Sequence, residues 1–211
     1  MALPLRLLIG LGNPGRRYAA TRHNAGAWFV DRLAGALRLE LRSEARFHSM
    51  LARGRAPDGG DFRLALPQSY MNESGHAVAA LARYYRVSPA EILVAHDELD
   101  LKPGSVKLKL GGGSAGHNGL KDIVAQLGSG QFWRLRIGIG HPRDAEHPEA
   151  EVVDYVLYRP RPEEKERIDE AIARALSVWS DLVVGNTERA MLALHTRPAA
   201  PQGPGEGKPA A

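Results

Sequence analysis

Apolar residues recur along the chain with two periods, and each period predicts a different kind of element. Apolar runs that are continuous or alternate with polar residues predict strands, whereas apolar positions three and four residues apart predict helices. The predicted strands are residues 5–9, 47–55, 62–66, 92–95, 106–110 and 133–139. The predicted helices are residues 25–39, 73–85, 120–127 and 162–184.

The order of these elements predicts the fold class. Because strands alternate with helices, we expect an α/β fold in which a single three-layer domain has its sheet flanked by helices. Pro57-Asp58-Gly59-Gly60 has the composition of a turn and joins two of the strands as a hairpin. The twisted sheet is therefore predicted to be mixed but mostly parallel.

Length and composition predict one globular domain. The 211 residues suffice for one sizeable core, and 44% hydrophobic and 25% charged residues are typical of soluble proteins. No apolar run approaches the roughly 20 residues of a membrane helix, and the first residues lack the features of a secretory signal. We therefore expect a cytoplasmic protein without membrane association. The predicted domain covers residues 1–197, and residues 198–211 are mostly proline, glycine and alanine, which is typical of a disordered tail.

The absence of cysteine and the modest net charge narrow the possible chemistry. Disulfides, zinc–thiolate sites and thiol nucleophiles are excluded because the chain has no cysteine. The formal charge of +4 is far below that of many nucleic-acid binders. Only the positions of the basic residues can therefore indicate a nucleic-acid site.

The glycine-rich segment after the first strand matches one nucleotide-binding pattern. Gly10, Gly12 and Gly15 have the spacing found in dinucleotide-binding proteins. That pattern requires a helix to begin at the third glycine, but residues 16–24 are polar and aperiodic. The acidic residue expected about 20 positions later would be Asp31, which lies inside a predicted helix. A dinucleotide site is therefore the weaker interpretation.

A second glycine-rich segment fits the nucleophile elbow of serine hydrolases. In Gly112-Gly113-Ser114-Ala115-Gly116 the nucleophile would be Ser114. An elbow follows a buried strand, whereas the strand before this segment carries Lys107 and Lys109. This interpretation is also disfavoured.

Acidic residues follow the strand at 92–95. His96-Asp97-Glu98-Leu99-Asp100 could bind magnesium or manganese through its carboxylates. Ligands of open α/β sheets gather at the carboxyl ends of strands, where Asp97 would lie. A carboxylate there can also orient a histidine without any metal. Of the eight histidines, His23 is the best candidate because its loop also contains Asn13, Asn24 and Tyr18.

Two pairs of basic residues could contact nucleic acid. Lys107 and Lys109 would share one face of a strand, and so would Arg134 and Arg136. The spacing within each pair is about 7 Å, comparable to that of successive phosphates. The alternative is that these residues are ordinary solvated strand faces.

Longer motifs resemble those of the bacterial peptidyl-tRNA hydrolases. The resemblance covers residues 5 to about 195, and only the tail lies outside it. The matching motifs are Gly10-Leu11-Gly12-Asn13-Pro14-Gly15, Tyr18-Ala19-Ala20-Thr21-Arg22-His23-Asn24-Ala25-Gly26, Tyr70-Met71-Asn72-x-Ser74-Gly75, His96-Asp97-Glu98-Leu99-Asp100, Gly111-Gly112-Gly113-x-x-Gly116-His117-Asn118-Gly119-Leu120-Lys121 and Arg134-Leu135-Arg136-Ile137-Gly138-Ile139-Gly140-His141-Pro142.

The resemblance implies an enzyme that hydrolyses the ester between a peptide and the terminal ribose of tRNA. It implies no cofactor and no metal, tRNA as the partner, and a monomer. His23 would be the general base that activates water, Asp97 would orient its imidazole, and Asn13 would favour a blocked over a free amino group. The residues that would bind substrate and tRNA are Tyr18, Tyr70, Asn72, Asn118, Lys109 and Arg136.

A different class of function uses the same scaffold. Some relatives of this family that take part in splicing resemble RNA-binding proteins that have no catalytic activity. The alternative function is therefore that of a non-catalytic RNA-binding protein. A pure binder has no physical reason to keep a base, its orienting carboxylate and three amides together. The sequence therefore favours the enzyme.

Overall fold

The structure, a computed structural model, describes residues 3–144 and 151–196. Within these residues seven strands form one sheet: β1 (Leu7–Gly10), β2 (Arg42–Glu44), β3 (Ser49–Arg55), β4 (Asp61–Pro67), β5 (Ile92–Glu98), β6 (Val106–Leu110) and β7 (Trp133–Gly138). Their spatial order is β2-β3-β4-β1-β5-β7-β6. The predicted tail from Pro198 onwards lies outside the described residues.

The centre of the sheet is parallel and its two edges are antiparallel. β1 pairs in parallel with β4 and β5, and β5 pairs in parallel with β7. β3 pairs antiparallel with both β2 and β4, and β6 pairs antiparallel with β7. All strands except β3 and β6 therefore run in the same direction. This confirms the predicted mixed, mostly parallel sheet and the hairpin of β3 and β4.

Helices cover both faces of the sheet. The α-helices in the described residues are α1 (Ala25–Ala36), α2 (Ser74–Tyr85), α3 (Asn118–Leu127), α4 (Val152–Leu157), α5 (Pro162–Ser177), α6 (Trp179–Val183) and α7 (Thr187–His195). Side chains along a strand alternate between its faces. In β1, Leu8 belongs to one core with α1 and α5, whereas Leu7 and Ile9 belong to another with α2 and α3. Two cores, one on each face, produce the predicted three layers.

The helix predicted over residues 162–184 is two helices. The chain leaves helical geometry at Val178, where φ is −107° and ψ is 5°, so α5 ends at Ser177 and α6 begins at Trp179. The break allows the Trp179 ring to pack 5.9 Å from the Phe62 ring on β4. The apolar spacing continues across the break, so periodicity alone does not reveal it.

Three short elements have no counterpart in the predictions. They are β2, α4 and α7. β2 pairs with the neighbouring strand β3, whereas α4 and α7 are held by contacts with distant parts of the chain. For example, α7 covers the edge strand β6, and Nε2 of His195 accepts a hydrogen bond from the Leu108 N–H at 3.2 Å. None of the helices in residues 3–144 and 151–196 combines the length and apolar character needed to cross a membrane.

The first helix begins unusually close to the central strands. The Leu11 N–H donates to the Ala95 carbonyl at 3.0 Å, and Gly26 packs against the same carbonyl group. A Cβ on Gly26 would overlap the oxygen of Ala95. This close approach places the residues just before α1 beside the carboxyl end of β5.

Candidate active site

A pocket of about 410 Å³ opens at the carboxyl ends of β1 and β5. These are neighbouring parallel strands, and ligands of open α/β sheets bind at such ends. Six of the predicted site residues line this pocket: Asn13, His23, Tyr70, Asn72, Asp97 and Asn118. The fold thus brings together side chains that are far apart in the sequence.

His23 and Asp97 form the polar centre of the pocket. His23 lies in the 3₁₀ turn Arg22–Asn24, directly before α1, and Asp97 lies near the end of β5. Nδ1 of His23 is 2.9 Å from Oδ1 and 3.0 Å from Oδ2 of Asp97. An ionised carboxylate only accepts hydrogen bonds, so Nδ1 carries the proton and Nε2 keeps its lone pair.

The surroundings shift the titration of both groups. Burial disfavours the charged form of His23, but the charge of Asp97 and its hydrogen bond outweigh burial and raise the pKa of His23 above 6.5. Burial also disfavours the charged form of Asp97. The charges and hydrogen bonds of His23 and His117 nevertheless hold the pKa of Asp97 well below its usual range. Asp97 is therefore ionised at neutral pH.

His117, which the sequence analysis did not single out, also binds Asp97. Its Nε2 lies 3.0 Å from Oδ1 of Asp97, and its Nδ1 accepts the Leu120 N–H at 3.3 Å as the cap of α3. Because Nδ1 accepts, Nε2 carries the proton and donates to Asp97. The available signal was its position directly before Asn118.

The neighbouring His96 is neutral. Burial, together with the charge of His117, lowers the pKa of His96 to about 3. Its Nδ1 donates to the Asp97 carbonyl oxygen at 2.7 Å, and its Nε2 has no partner among the described residues. His96 therefore adds no positive charge that would compete with His23 for Asp97.

Asn24 holds Asn13 at the pocket wall. Oδ1 of Asn24 accepts the Asn13 N–H, and Nδ2 of Asn24 donates to the Asn13 carbonyl, both at 2.9 Å. Oδ1 of Asn13 accepts the Met71 N–H at 2.8 Å. These bonds fix the side-chain amide of Asn13 and leave its Nδ2 as a hydrogen-bond donor to the pocket. The sequence analysis noted Asn24 as a polar neighbour of His23 but did not predict its hydrogen bonds to Asn13.

The other predicted substrate residues lie around the mouth of the pocket. Asn72 lies in the 3₁₀ turn Met71–Glu73 and Asn118 is the first residue of α3, and both are exposed. Tyr70 is 57% exposed and lines the pocket. Tyr18 does not line it, but its ring stands edge-on to the Tyr70 ring at 6.4 Å between centroids. Asn72, Asn118 and Tyr70 are therefore accessible to a ligand in the pocket, and Tyr18 lies beside Tyr70.

Basic residues of β6 and β7 share one face of the sheet beside the pocket. Lys107 lies opposite Arg136 and Lys109 opposite Arg134, and opposite residues of an antiparallel pair project from the same face. Three of them, Lys109, Arg134 and Arg136, line a second cavity of about 300 Å³, which we call the basic cavity. Only part of this set is open to a ligand.

The arginines of the basic cavity are bound to the protein itself. Arg134 is buried and donates to the carbonyl oxygens of Gly112 and Gly113, so it holds the glycine-rich loop and is not an exposed phosphate contact. Nε of Arg136 donates to Glu98 at 2.8 Å, and its side chain is 23% exposed. Lys109 is exposed. The possibility that the pair of Arg134 and Arg136 contacts nucleic acid therefore does not hold for Arg134.

The histidines around Asp97 are also a group that could hold a metal ion. The ligand atoms of His23, Asp97 and His117 lie within 4.8 Å of one another. Two imidazoles and a carboxylate suit a transition metal such as zinc. The hydrogen bonds between these side chains account for the same arrangement, since every imidazole nitrogen that faces Asp97 donates to it.

Comparisons with known proteins identify the family. Residues 7–202 match the family model for peptidyl-tRNA hydrolase. The chain belongs to the peptidyl-tRNA hydrolase family. A solved peptidyl-tRNA hydrolase in complex with N-propanol is 45% identical, with a TM-score of 0.85 over 92% of this chain and 97% of that chain. A peptidyl-tRNA hydrolase from Acinetobacter baumannii is 46% identical, with a TM-score of 0.84 over 90% of this chain and 94% of that chain.

Neither alternative interpretation of the glycine motifs agrees with the observed fold. α1 begins at Ala25, well beyond Gly15, and Asp31 is an exposed residue of α1, so α1 does not begin at the third glycine as a dinucleotide site requires. Ser114 lines the pocket, but within residues 3–144 and 151–196 no hydrogen bond joins its hydroxyl to a histidine. It therefore lacks the adjacent base that a serine nucleophile needs.

Proposed function

We propose that this enzyme hydrolyses the ester between a peptide and the terminal ribose of tRNA with His23 as the general base. The observation that carries the proposal is the hydrogen bond from Nδ1 of His23 to the ionised Asp97, at 2.9 Å. It leaves Nε2 as an acceptor in the pocket, with no partner among the described residues. A neutral imidazole in this tautomer can take a proton from water.

The reaction needs only the groups already present in the pocket. Nε2 of His23 removes a proton from water while the resulting hydroxide attacks the ester carbonyl carbon. The tetrahedral intermediate then expels the ribose oxygen, which receives the proton from His23, giving a free peptide acid and tRNA. The side-chain amides of Asn72 and Asn118 can donate to the oxyanion without adding a charge near His23. An ester is already activated, so no covalent nucleophile is required.

Asn13 supplies a physical basis for preferring a blocked amino group. Its Oδ1 accepts the Met71 N–H at 2.8 Å, so its Nδ2 donates into the pocket. The amide carbonyl of a peptide can accept that hydrogen bond. A free α-ammonium group is a donor and a cation, so it would leave Nδ2 unpaired and lose affinity.

Binding of tRNA is proposed for the side of the pocket that holds the basic cavity. Lys109 and Arg136 would contact phosphates, and Tyr18 and Tyr70 would lie near the tRNA end. Phosphate contacts give affinity without sequence preference, which suits an enzyme that accepts many tRNAs.

The assembly and location of the enzyme are also part of the proposal. One chain supplies every residue of the proposed site, so we propose a monomer. We propose that residues 1–197 are the catalytic domain. Peptidyl-tRNA arises during translation, so we place the enzyme in the cytoplasm.

The test is release of tRNA from purified N-acetyl-aminoacyl-tRNA. The wild-type protein should release tRNA, and His23→Ala should lower kcat by about 10²–10⁴-fold, the usual contribution of a general base. The corresponding free aminoacyl-tRNA is the control substrate and should react slowly. A wild-type protein that binds tRNA without releasing it would support the non-catalytic alternative, and a His23→Ala enzyme within a few-fold of wild type would exclude His23 as the base.

A further inference from the structure

One side of the pocket is an apolar wall formed by α4. Val152, Val153, Val156 and Leu157 all line the pocket that contains His23. Val152 is 40% exposed and Val153 is 60% exposed, whereas Val156 is buried. When an apolar ligand covers exposed apolar side chains in a cavity, their removal from water contributes favourable binding free energy. We call these four residues the apolar wall.

A helix as short as α4 needs outside support. It has six residues, and an isolated helix of that length is unstable in water. Its support is Arg22, whose Nη1 donates to the carbonyl oxygens of Tyr155 at 3.2 Å, Tyr158 at 3.3 Å and Arg159 at 3.1 Å. The Arg22 backbone N–H also donates to Tyr158, at 3.1 Å. Arg22 thus binds Tyr155 in the last turn of α4 and the two residues that follow the helix, where the chain has few hydrogen bonds of its own.

Arg22 is itself fixed on its other sides. It is 5% exposed, and its Nη2 donates to Glu164 of α5 at 2.6 Å. Its guanidinium lies 4.1 Å from the centre of the Tyr155 ring, and the Tyr155 hydroxyl donates to the Ile139 carbonyl at 2.8 Å. These contacts connect α4 to both α5 and the end of β7.

The same short turn carries the proposed base. Arg22 and His23 are consecutive residues of the 3₁₀ turn Arg22–Asn24, so His23 faces Asp97 while Arg22 binds α4. A displacement of Arg22 would therefore move the apolar wall relative to His23.

We infer that Arg22 is a positioning residue that holds the apolar wall of α4 against the pocket, where the wall receives an apolar side chain of the peptide next to the ester. The inference rests on the proposed function, because it names the part of peptidyl-tRNA that this wall contacts. Arginine suits the task because its planar guanidinium can bind several carbonyls and a carboxylate at once. Lysine offers a single point charge and cannot do so.

The test compares two substrates that differ only beside the ester. We measure kcat/KM for N-acetyl-leucyl-tRNA and N-acetyl-glycyl-tRNA and take the leucine-to-glycine ratio. Wild type should prefer leucine. Arg22→Lys should lower the ratio about fivefold, mainly through a higher KM for the leucine substrate, and Val153→Asn should lower it about tenfold, as expected for loss of an apolar contact.

A matched control is the other arginine that pairs with α5. Arg32 on α1 pairs with Asp169 of α5 at 2.6 Å, and among the described residues no hydrogen bond or ion pair joins its side chain to α4. Arg32→Lys changes the same kind of ion pair and should leave the leucine-to-glycine ratio unchanged. Thermal unfolding of each variant shows whether a change in the ratio accompanies general destabilisation.

The outcomes separate this inference from the proposed function. Wild type inactive on both substrates contradicts the proposed function. Wild type active on both, with Arg22→Lys slowing both by one common factor, shows that Arg22 is merely structural and overturns the inference. If Arg22→Lys does not fold, Val153→Asn decides alone, and an unchanged ratio in that variant overturns the role of the apolar wall.

Discussion

The pocket around His23 and the basic cavity beside it share His96 and Glu98 in their walls, yet Asp97 in the pocket and Lys109 in the basic cavity carry their charges in opposite surroundings. Asp97 is 3% exposed, and two imidazoles donate to it. Lys109 is exposed, so its charge stays in water. Buried charges with fixed partners determine geometry, whereas solvated charges contribute affinity that salt screens. Substitutions in the two cavities should therefore differ in kind as well as in size.

Among the residues that support His23, the largest effect is expected for Asp97→Asn, which removes the charge that orients His23. We expect kcat to fall by about 10²-fold, because the imidazole loses its fixed tautomer. In wild type the pKa of His23 is raised, so activity falls as the pH drops through a value above 6.5. The variant lacks the charge of Asp97, so burial lowers the pKa of His23. The fall of activity on acidification therefore moves to lower pH. The profile of kcat against pH measures the shift.

A matched control for that substitution lies three residues away. The side chain of Asp100 is 55% exposed and lies 3.6 Å from Arg143. Asp100→Asn makes the same chemical change at the surface and should retain the wild-type profile. A wild-type profile in Asp97→Asn would contradict the proposed role of Asp97.

The next effect concerns the backbone that carries the buried site. Gly26→Ala should lower the free energy of unfolding by about 1–3 kcal/mol, because the new methyl group overlaps the Ala95 carbonyl. Gly35 lies on the same helix with open space around its Cβ position. Gly35→Ala should raise the free energy by about 0.5–1 kcal/mol. Urea denaturation measures both values, and an equal change in both variants would show that the close approach at Gly26 is unimportant.

A smaller effect is expected for the hydrogen bonds that hold Asn13 at the pocket wall. Asn24→Ala removes two bonds to the Asn13 backbone, each worth about 0.5–1.5 kcal/mol. We expect kcat/KM for N-acetyl-aminoacyl-tRNA to fall about tenfold, together with the preference over free aminoacyl-tRNA. Asn186→Ala, at an exposed position before α7, is the control. Unchanged selectivity in Asn24→Ala would show that Asn24 is not needed to recognise the blocked amino group.

The smallest effects should arise in the basic cavity. Lys109→Ala should weaken binding equally for all tRNAs and lower the slope of log Kd against log salt by about one. Arg136→Ala should lower the slope similarly, but also the melting temperature, because it leaves the nearly buried Glu98 without its partner at 2.8 Å. Arg42→Ala, on exposed β2, is the control. An unchanged salt slope in Lys109→Ala would show that Lys109 does not contact tRNA.

Elements with a clear apolar period were predictable. β6 has the predicted bounds, and β3 and β4 form the predicted hairpin, because alternation and turn residues are local signals. β5 was predicted too short. Its last residues, His96, Asp97 and Glu98, are polar, and they form a strand because they pair with Arg136, Ile137 and Gly138 of β7. Such pairing depends on distant residues and leaves no local pattern.

The candidate site was predictable in part. The motifs identified His23 and Asp97, and the structure brings them within 2.9 Å although 74 positions separate them. The sequence analysis did not find that His117 also binds Asp97, or that Arg134 is buried under the glycine-rich loop. A polar residue on a strand or loop looks the same in sequence whether it faces solvent, a carbonyl or a carboxylate.

The sequence by itself determined the kinds of elements, their order and the motifs of the family, because periodicity and residue type act over short stretches of chain. Only the tertiary structure decided which polar groups meet. The Gly26–Ala95 approach, the Arg22 bonds to α4 and the shared carboxylate of Asp97 each join distant segments. Their geometry follows from how the sheet and helices pack, since a hydrogen bond forms only when packing brings donor and acceptor within about 3 Å.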